Sequence, residues 1–125
     1  MERFQEGTGK YRIEATVFTT EEGYILHLLG GEKPHVGAVI ICQPRESLTG
    51  DGSTSCTTSS LPLIGHKDDI PARPLAEVLC KLTGQPVVAV SGIHIDNATG
   101  DDIAHLQQNI EIITEKMLQR FKESH

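Results

Sequence analysis

Three short segments of this 125-residue chain carry residue types that bind or move charge. They are Gly30-Gly31-Glu32-Lys33-Pro34-His35, Gly65-His66-Lys67-Asp68 and Gly92-Ile93-His94-Ile95-Asp96-Asn97. Each joins glycine to a histidine, and two add a lysine. Glycine lets a ligand come close to the backbone, and ammonium or imidazolium groups form charge-assisted bonds to phosphate or carboxylate. The chemistry these segments suggest is the holding of a small anion, and Arg73 could add a further cation.

Other chemistries stay open on the residues alone. His94 and Asp96 alternate along one strand face, and with His66 they could begin a metal site, although no ligand-spacing signature accompanies them. The run Thr57-Thr58-Ser59-Ser60 could supply a nucleophile, with His66 or His94 as base and Asp96 as orienter, but no nucleophile elbow is present. Ser59 and its neighbours could equally give a ligand hydroxyls to bond. Cys56 is either a reactive thiol or a small core filler. His27 in mid-strand reads as structural, and His105 on a helix reads as surface.

The elements that must position these segments follow from periodicity. Tyr11 to Phe18 alternates, with Tyr11, Ile13, Ala15 and Val17 on one side, as a half-buried strand does. Thr20 to Gly23 is a turn, and Tyr24 to Leu29 a second strand. His35 to Cys42 is a third, apolar on both faces at Val39-Ile40-Ile41. Pro44 to Ser53 reads as a mobile loop, and Thr54 to Ile64 as a fourth strand. Leu75, Val78, Leu79 and Leu82 mark one face of a short helix, with Pro74 in its first turn and Gly84 past its end. Pro86 to Ile95 is a buried strand. Thr99 and Asp102 form a capping box, Asp standing in for the usual Glu or Gln. The helix they open carries a stripe of Ile103, Leu106, Ile110, Ile113, Met117 and Phe121.

The expected fold is therefore α/β (α+β): a mainly antiparallel sheet of about five strands, in the order β-β-β-β-α-β-α, with two helices packed on it. Residues 1–125 are expected to form one domain with a core of about 10–122. If the first four strands are joined as hairpins, the second ends where the third begins, and the fourth and fifth end at the same edge. Both helices start there. All three charged segments then meet beside two helix N-termini, whose free N–H groups attract anions.

Composition narrows the partner. Seventeen acidic residues against eleven basic give a net charge of −6, and aromatics make up 4% with no Trp. Nucleic-acid binding calls for a basic face and stacking rings, so it is not expected. The three cysteines, Cys42, Cys56 and Cys80, form no C-x-x-C pair, which argues against a disulfide framework or structural zinc. Neither a signal peptide nor a membrane-spanning run is legible, and a cytoplasmic home is expected. The long helix stripe and the thinly covered sheet suggest a homodimer.

Taken together, Gly30-Gly31 with His35-Val36-Gly37-Ala38-Val39, then Gly65-His66-Lys67-Asp68, then Val87-Val88-Ala89-Val90-Ser91-Gly92-Ile93-His94-Ile95-Asp96 resemble the LpdD family over roughly residues 10–122. That family comprises prenylated flavin chaperones associated with gallate-type decarboxylases of the UbiD class, and it is similar in fold to proteasome assembly chaperones. The resemblance implies a non-catalytic, homodimeric carrier. It would bind prenylated FMN, or FMN itself, and hand it to an apo UbiD-type decarboxylase. Carried over to this chain, it points to His35, Gly37, His66, Lys67, His94 and Asp96, and Ser59 joins them as a cofactor-binding candidate. With so few aromatics, the flavin ring would lie on aliphatic side chains, on Tyr11 or Tyr24, or across a dimer seam. The alternatives are an assembly chaperone with no small ligand and a small hydrolase or lyase using the histidines.

Overall fold

A computed structural model describes residues 1–33, 35–62 and 69–124, the side chains of 62, 69–71 and 124 excepted. The elements run β1 (Glu2–Glu6), a 3₁₀ turn (Gly9–Tyr11), β2 (Ile13–Thr20), β3 (Gly23–Gly31), β4 (Ala38–Glu46), β5 (Thr54–Pro62), α1 (Asp69–Thr83), β6 (Val87–His94) and α2 (Gly100–Ser124). One six-stranded sheet has the order β1-β2-β3-β6-β4-β5. It is mixed, because β6 enters between β3 and β4, parallel to the first and antiparallel to the second. The sheet is antiparallel at all its pairings but that of β3 with β6, and it has six strands where about five were expected.

The extra strand is β1. Its single apolar residue, Phe4, gives no alternation to read. Its place is set instead by pairing with β2 and by two ion pairs to α2, Lys116 with Glu6 at 2.7 Å and Arg120 with Glu2 at 2.8 Å. Tyr11 belongs to the 3₁₀ turn and not to a strand, so its side chain leaves the sheet. The expected loop at Pro44 is strand up to Glu46. Beyond Cys42, β4 has no pairing with β6, and an unpaired strand side tolerates proline. The third strand starts at Ala38 and leaves His35 to Gly37 outside it. Helix α1 starts at Asp69, so Pro74 lies inside it and not in its first turn.

Both helices cover one face of the sheet. Ile13, Ala15 and Val17 of β2, Leu26 and Leu28 of β3, Ile40 and Cys42 of β4, and Val87 and Ala89 of β6 meet Leu75 and Leu79 of α1 and Ile113 and Met117 of α2. All are fully buried or nearly so. Burying one such aliphatic side chain contributes about 1.5–3 kcal/mol, and this layer is the source of the fold's stability. Tyr24 is 8% exposed and meets the Phe121 ring edge-on at 5.3 Å.

Candidate functional site

Strands β3, β5 and β6 run in one direction, and β4 runs against them. The ends of β3, β5 and β6 and the start of β4 therefore share one end of the sheet, as the hairpin argument expects. Two of the three charged segments can be located there. Gly31 pairs with His94 across β3 and β6. The segment after β3 then folds back over the end of β6. The Glu32 and Lys33 N–H groups donate to the His94 carbonyl at 2.7 and 3.3 Å, and the Gly37 N–H donates to the Ser91 carbonyl at 2.7 Å.

This crossing explains two glycines. A Cβ on Gly92 would sit 1.4 Å from the His35 carbonyl oxygen. A Cβ on Gly31, at φ +78, would meet the His94 carbonyl at 2.3 Å. Glycine is required where one backbone lies directly on another. The glycines thus hold the histidines together and need not touch a ligand. Gly37 likewise spends its N–H on Ser91.

The side chains form a connected cluster. The His35 and His94 rings meet edge to face at 5.9 Å. His35 Nδ1 lies 2.9 Å from the Lys33 carbonyl, to which it donates. His94 Nε2 donates to Asp96 Oδ1 at 2.9 Å, and Lys33 Nζ lies 3.1 Å from Asp96 Oδ2. The Asp96 N–H donates to Glu32 Oε1 at 3.2 Å. The His94 hydrogen bond, and then Lys33, hold the Asp96 carboxyl below the usual carboxylate range. Asp96 is therefore tied to the Lys33 ammonium and the His94 imidazole and is not a free anion. Lys33, His35, Val36 and His94 line an open pocket of about 360 Å³. Glu32 and Val36 were not expected from the sequence. The acid–base pair Glu32-Lys33 just before Pro34 was the available signal.

Not every expected residue joins. Ser59 pairs with Ile41, which pairs with Val88, six residues before His94. At about 3.3 Å per residue, that places Ser59 roughly 20 Å away along the sheet. His66 and Lys67, with Gly65 and Asp68, lie outside the described residues. Asn97, at φ +51, turns the chain from β6 toward α2.

Neither tyrosine is open as a ring platform. Tyr24 is in the core, and the Tyr11 hydroxyl donates to Asp102 Oδ1 at 2.6 Å while its ring stacks on His105 at 4.5 Å. The donors at the strand ends fit a phosphate, and the aliphatic surface beside them, beginning at Val36, is what a ring could lie on.

Other groups are committed elsewhere. Thr58 Oγ1 donates to Glu77 at 2.9 Å, and Thr58 pairs through Cys42 with Val87, at the opposite end of β6 from His94. Burial pushes the Cys80 thiol up to about 12 and raises that of Cys42. Cys56 is partly buried against the core. No group of three His, Cys, Asp or Glu among the described residues has metal-binding geometry. Two further pockets, of about 180 and 600 Å³, adjoin Arg12, whose guanidinium already reaches Gln5 and Glu14.

No helix in the described residues is long and apolar enough to cross a membrane. No curated protein matches the chain. Among solved structures, a chaperone complex for yeast 20S proteasome assembly superposes with a TM-score of 0.55 at 13% identity, covering 98% of this chain and 95% of that one. That likeness is one of fold. Residues 7–122 match the family described as the prenylated flavin chaperone LpdD-like domain, a span that takes in every strand but β1, all of α1, and α2 but for its last two residues, and the chain belongs to that family.

Proposed function

We propose that this chain is a non-catalytic, cytoplasmic carrier that binds prenylated FMN and delivers it to an apo decarboxylase of the UbiD type. The observation that carries the reading is the pairing of family membership with a pocket at the strand ends lined by the donors Lys33, His35 and His94. Lys33, His35 and His94 would take the phosphate, with Lys67 and His66 as further donors. The cofactor supplies the decarboxylation chemistry to the client. The carrier has to hold the cofactor, shield it and let it go. A shallow pocket of exposed and half-buried side chains suits release, and micromolar affinity needs only about 8 kcal/mol.

The test is a titration with FMN and with prenylated FMN, followed by mixing the loaded carrier with apo decarboxylase. Binding in the micromolar range and faster activation than free cofactor achieves are expected. His94→Ala and Lys67→Ala should each weaken binding roughly tenfold to a hundredfold, the loss of one charge-assisted bond. Absence of flavin binding would overturn the reading. It would leave the second one, a protein-assembly chaperone without a small ligand, which draws on the apolar face of the sheet that no described element covers.

A further inference from the structure

The two pockets beside Arg12 take no part in holding a phosphate, yet they lie at the same end of the sheet. They share Gly9 and Arg12, and one of them also touches Glu14, Leu29 and Gly31. The strand registers connect them to the histidines. Gln5 of β1 pairs with Glu14 of β2, Glu14 with Leu29 of β3, and Leu29 with Gly92 of β6. Ile13, Ala15 and Leu28 point into the core, so this row crosses the opposite, helix-free face. At Gly92 it meets the backbone of His35. Gly31, two residues beyond Leu29, has no side chain to stand between the row and Lys33.

The β1 end of the row carries donors and an acceptor at one spot. Arg12 Nη2 donates to Gln5 Oε1, and to Glu14 Oε2 at 3.3 Å. A guanidinium only donates, so it is the Gln5 oxygen that faces Arg12, and Gln5 Nε2 keeps its N–H groups unspent. Arg12 Nε and Nη1 also have no partner among the described residues. Glu14 receives Arg12 on one oxygen and Arg3 on the other, at 3.8 Å, which leaves acceptor positions over. The complement of such a cluster is an imide, whose two carbonyls accept while its N–H donates. The pyrimidine edge of a flavin ring is an imide.

We propose that Gln5, Arg12 and Glu14 form the subsite that reads the imide edge of the flavin, with the ring over the half-buried Leu29 and the phosphate at Lys33 and His94. This rests on the carrier reading and assigns to it the residues that select the ring. The row covers three strand spacings, about 14 Å, a reach of the same order as an extended FMN from imide to phosphate. Charge sets the direction. Glu14, with Glu6 in the adjoining pocket, repels a phosphate from the β1 end, and Lys33 with His94 attracts one at the other. The row thus supplies what Val36 alone does not, groups that distinguish one ring from another.

Titration of the whole chain with riboflavin, with riboflavin methylated on its imide nitrogen, and with inorganic phosphate tests this. Riboflavin has the ring without the phosphate, and the methylated compound lacks the imide N–H as well. The wild type should prefer riboflavin roughly tenfold or more, because the methyl group leaves Glu14 without a donor. Glu14→Ala should bind the two alike. Arg12→Ala should weaken riboflavin binding roughly tenfold to a hundredfold and leave phosphate binding unchanged, while His94→Ala does the reverse. UMP carries the same imide on a smaller ring and should bind more weakly than FMN. Circular dichroism checks that each variant folds; if one does not, the two riboflavins on the wild type carry the test. Equal affinity of the wild type for both riboflavins, flavin binding unchanged in folded Arg12→Ala, or a preference for UMP would each overturn the subsite and leave the carrier reading to its own test. A wild type that binds no flavin at all would overturn both.

Discussion

Two carboxylates lie at the two ends of the short connection from β6 to α2, and their surroundings differ. Asp96 is half exposed and pairs with the exposed Lys33 and the partly exposed His94. Asp102 is 5% exposed and accepts from three donors. It takes the Tyr11 hydroxyl at 2.6 Å, Lys10 at 3.1 Å and the Thr99 N–H at 3.0 Å, while its own N–H donates to Thr99 Oγ1 at 3.1 Å. The expected capping box is thus present, and it has been recruited to fasten the N-terminal 3₁₀ turn onto α2. Asn109 adds a bond from Nδ2 to the Tyr11 carbonyl at 2.8 Å. A buried carboxylate that accepts from three donors holds a fold together. An exposed one that shares its cations with a pocket leaves them able to turn to another anion.

The largest expected effect tests whether the strand-end region has a rigid part of its own. Gly92→Ala forces a methyl into the His35 carbonyl and should cost about 3 kcal/mol, read from chemical denaturation, with loss of flavin binding. If stability holds, the backbone crossing is softer than the contact implies. Next, Asp102→Asn should lower Tm by several degrees, whereas the same change at Asp96 should leave it nearly unmoved. Equal shifts would erase the contrast between the two sites.

Acid sharpens the same contrast. Tyr11, then the Thr99 N–H and Lys10, hold the folded Asp102 carboxyl below the usual carboxylate range. The unfolded chain therefore takes up this proton first as pH falls. Asp102's contribution should be complete above about pH 5 and decline progressively as the solution becomes more acidic than about pH 4. Asp102→Asn should flatten that limb of the stability curve. Thr99→Ala, which removes the cap but not the Tyr11 bond, should cost about 1 kcal/mol. Last, His94→Ala should leave Tm within about 1 °C while binding weakens, so that fold and ligand separate at one residue.

The strand-end site was legible because it depends only on strand direction. Hairpin reasoning fixed where β3 ends, β4 begins and β6 ends, and that sufficed to bring His35 to His94 without knowledge of strand order. The insertion of β6 between β3 and β4 was not legible, since which strands are neighbours depends on tertiary packing. Ser59 lies apart from the cluster for a related reason: strand membership says nothing about position along the sheet. The role of Tyr11 was hidden because alternation from Tyr11 to Val17 is as good a strand pattern as from Ile13, and the 3₁₀ turn is stabilised by Asp102, ninety-one residues away.

The strand at the middle of the sheet is the last one synthesised. Until residues 87–94 leave the ribosome, β3 and β4 each have an open edge where their shared neighbour belongs, and the chain made so far is two unjoined antiparallel pieces. The sheet cannot close during most of translation. Folding must wait for contacts that span more than sixty residues, which is slow for a chain this size. Meanwhile two apolar strand edges are open to pairing with other chains. A protein whose family tends a cofactor for others is itself, by its topology, vulnerable in the moments after its synthesis.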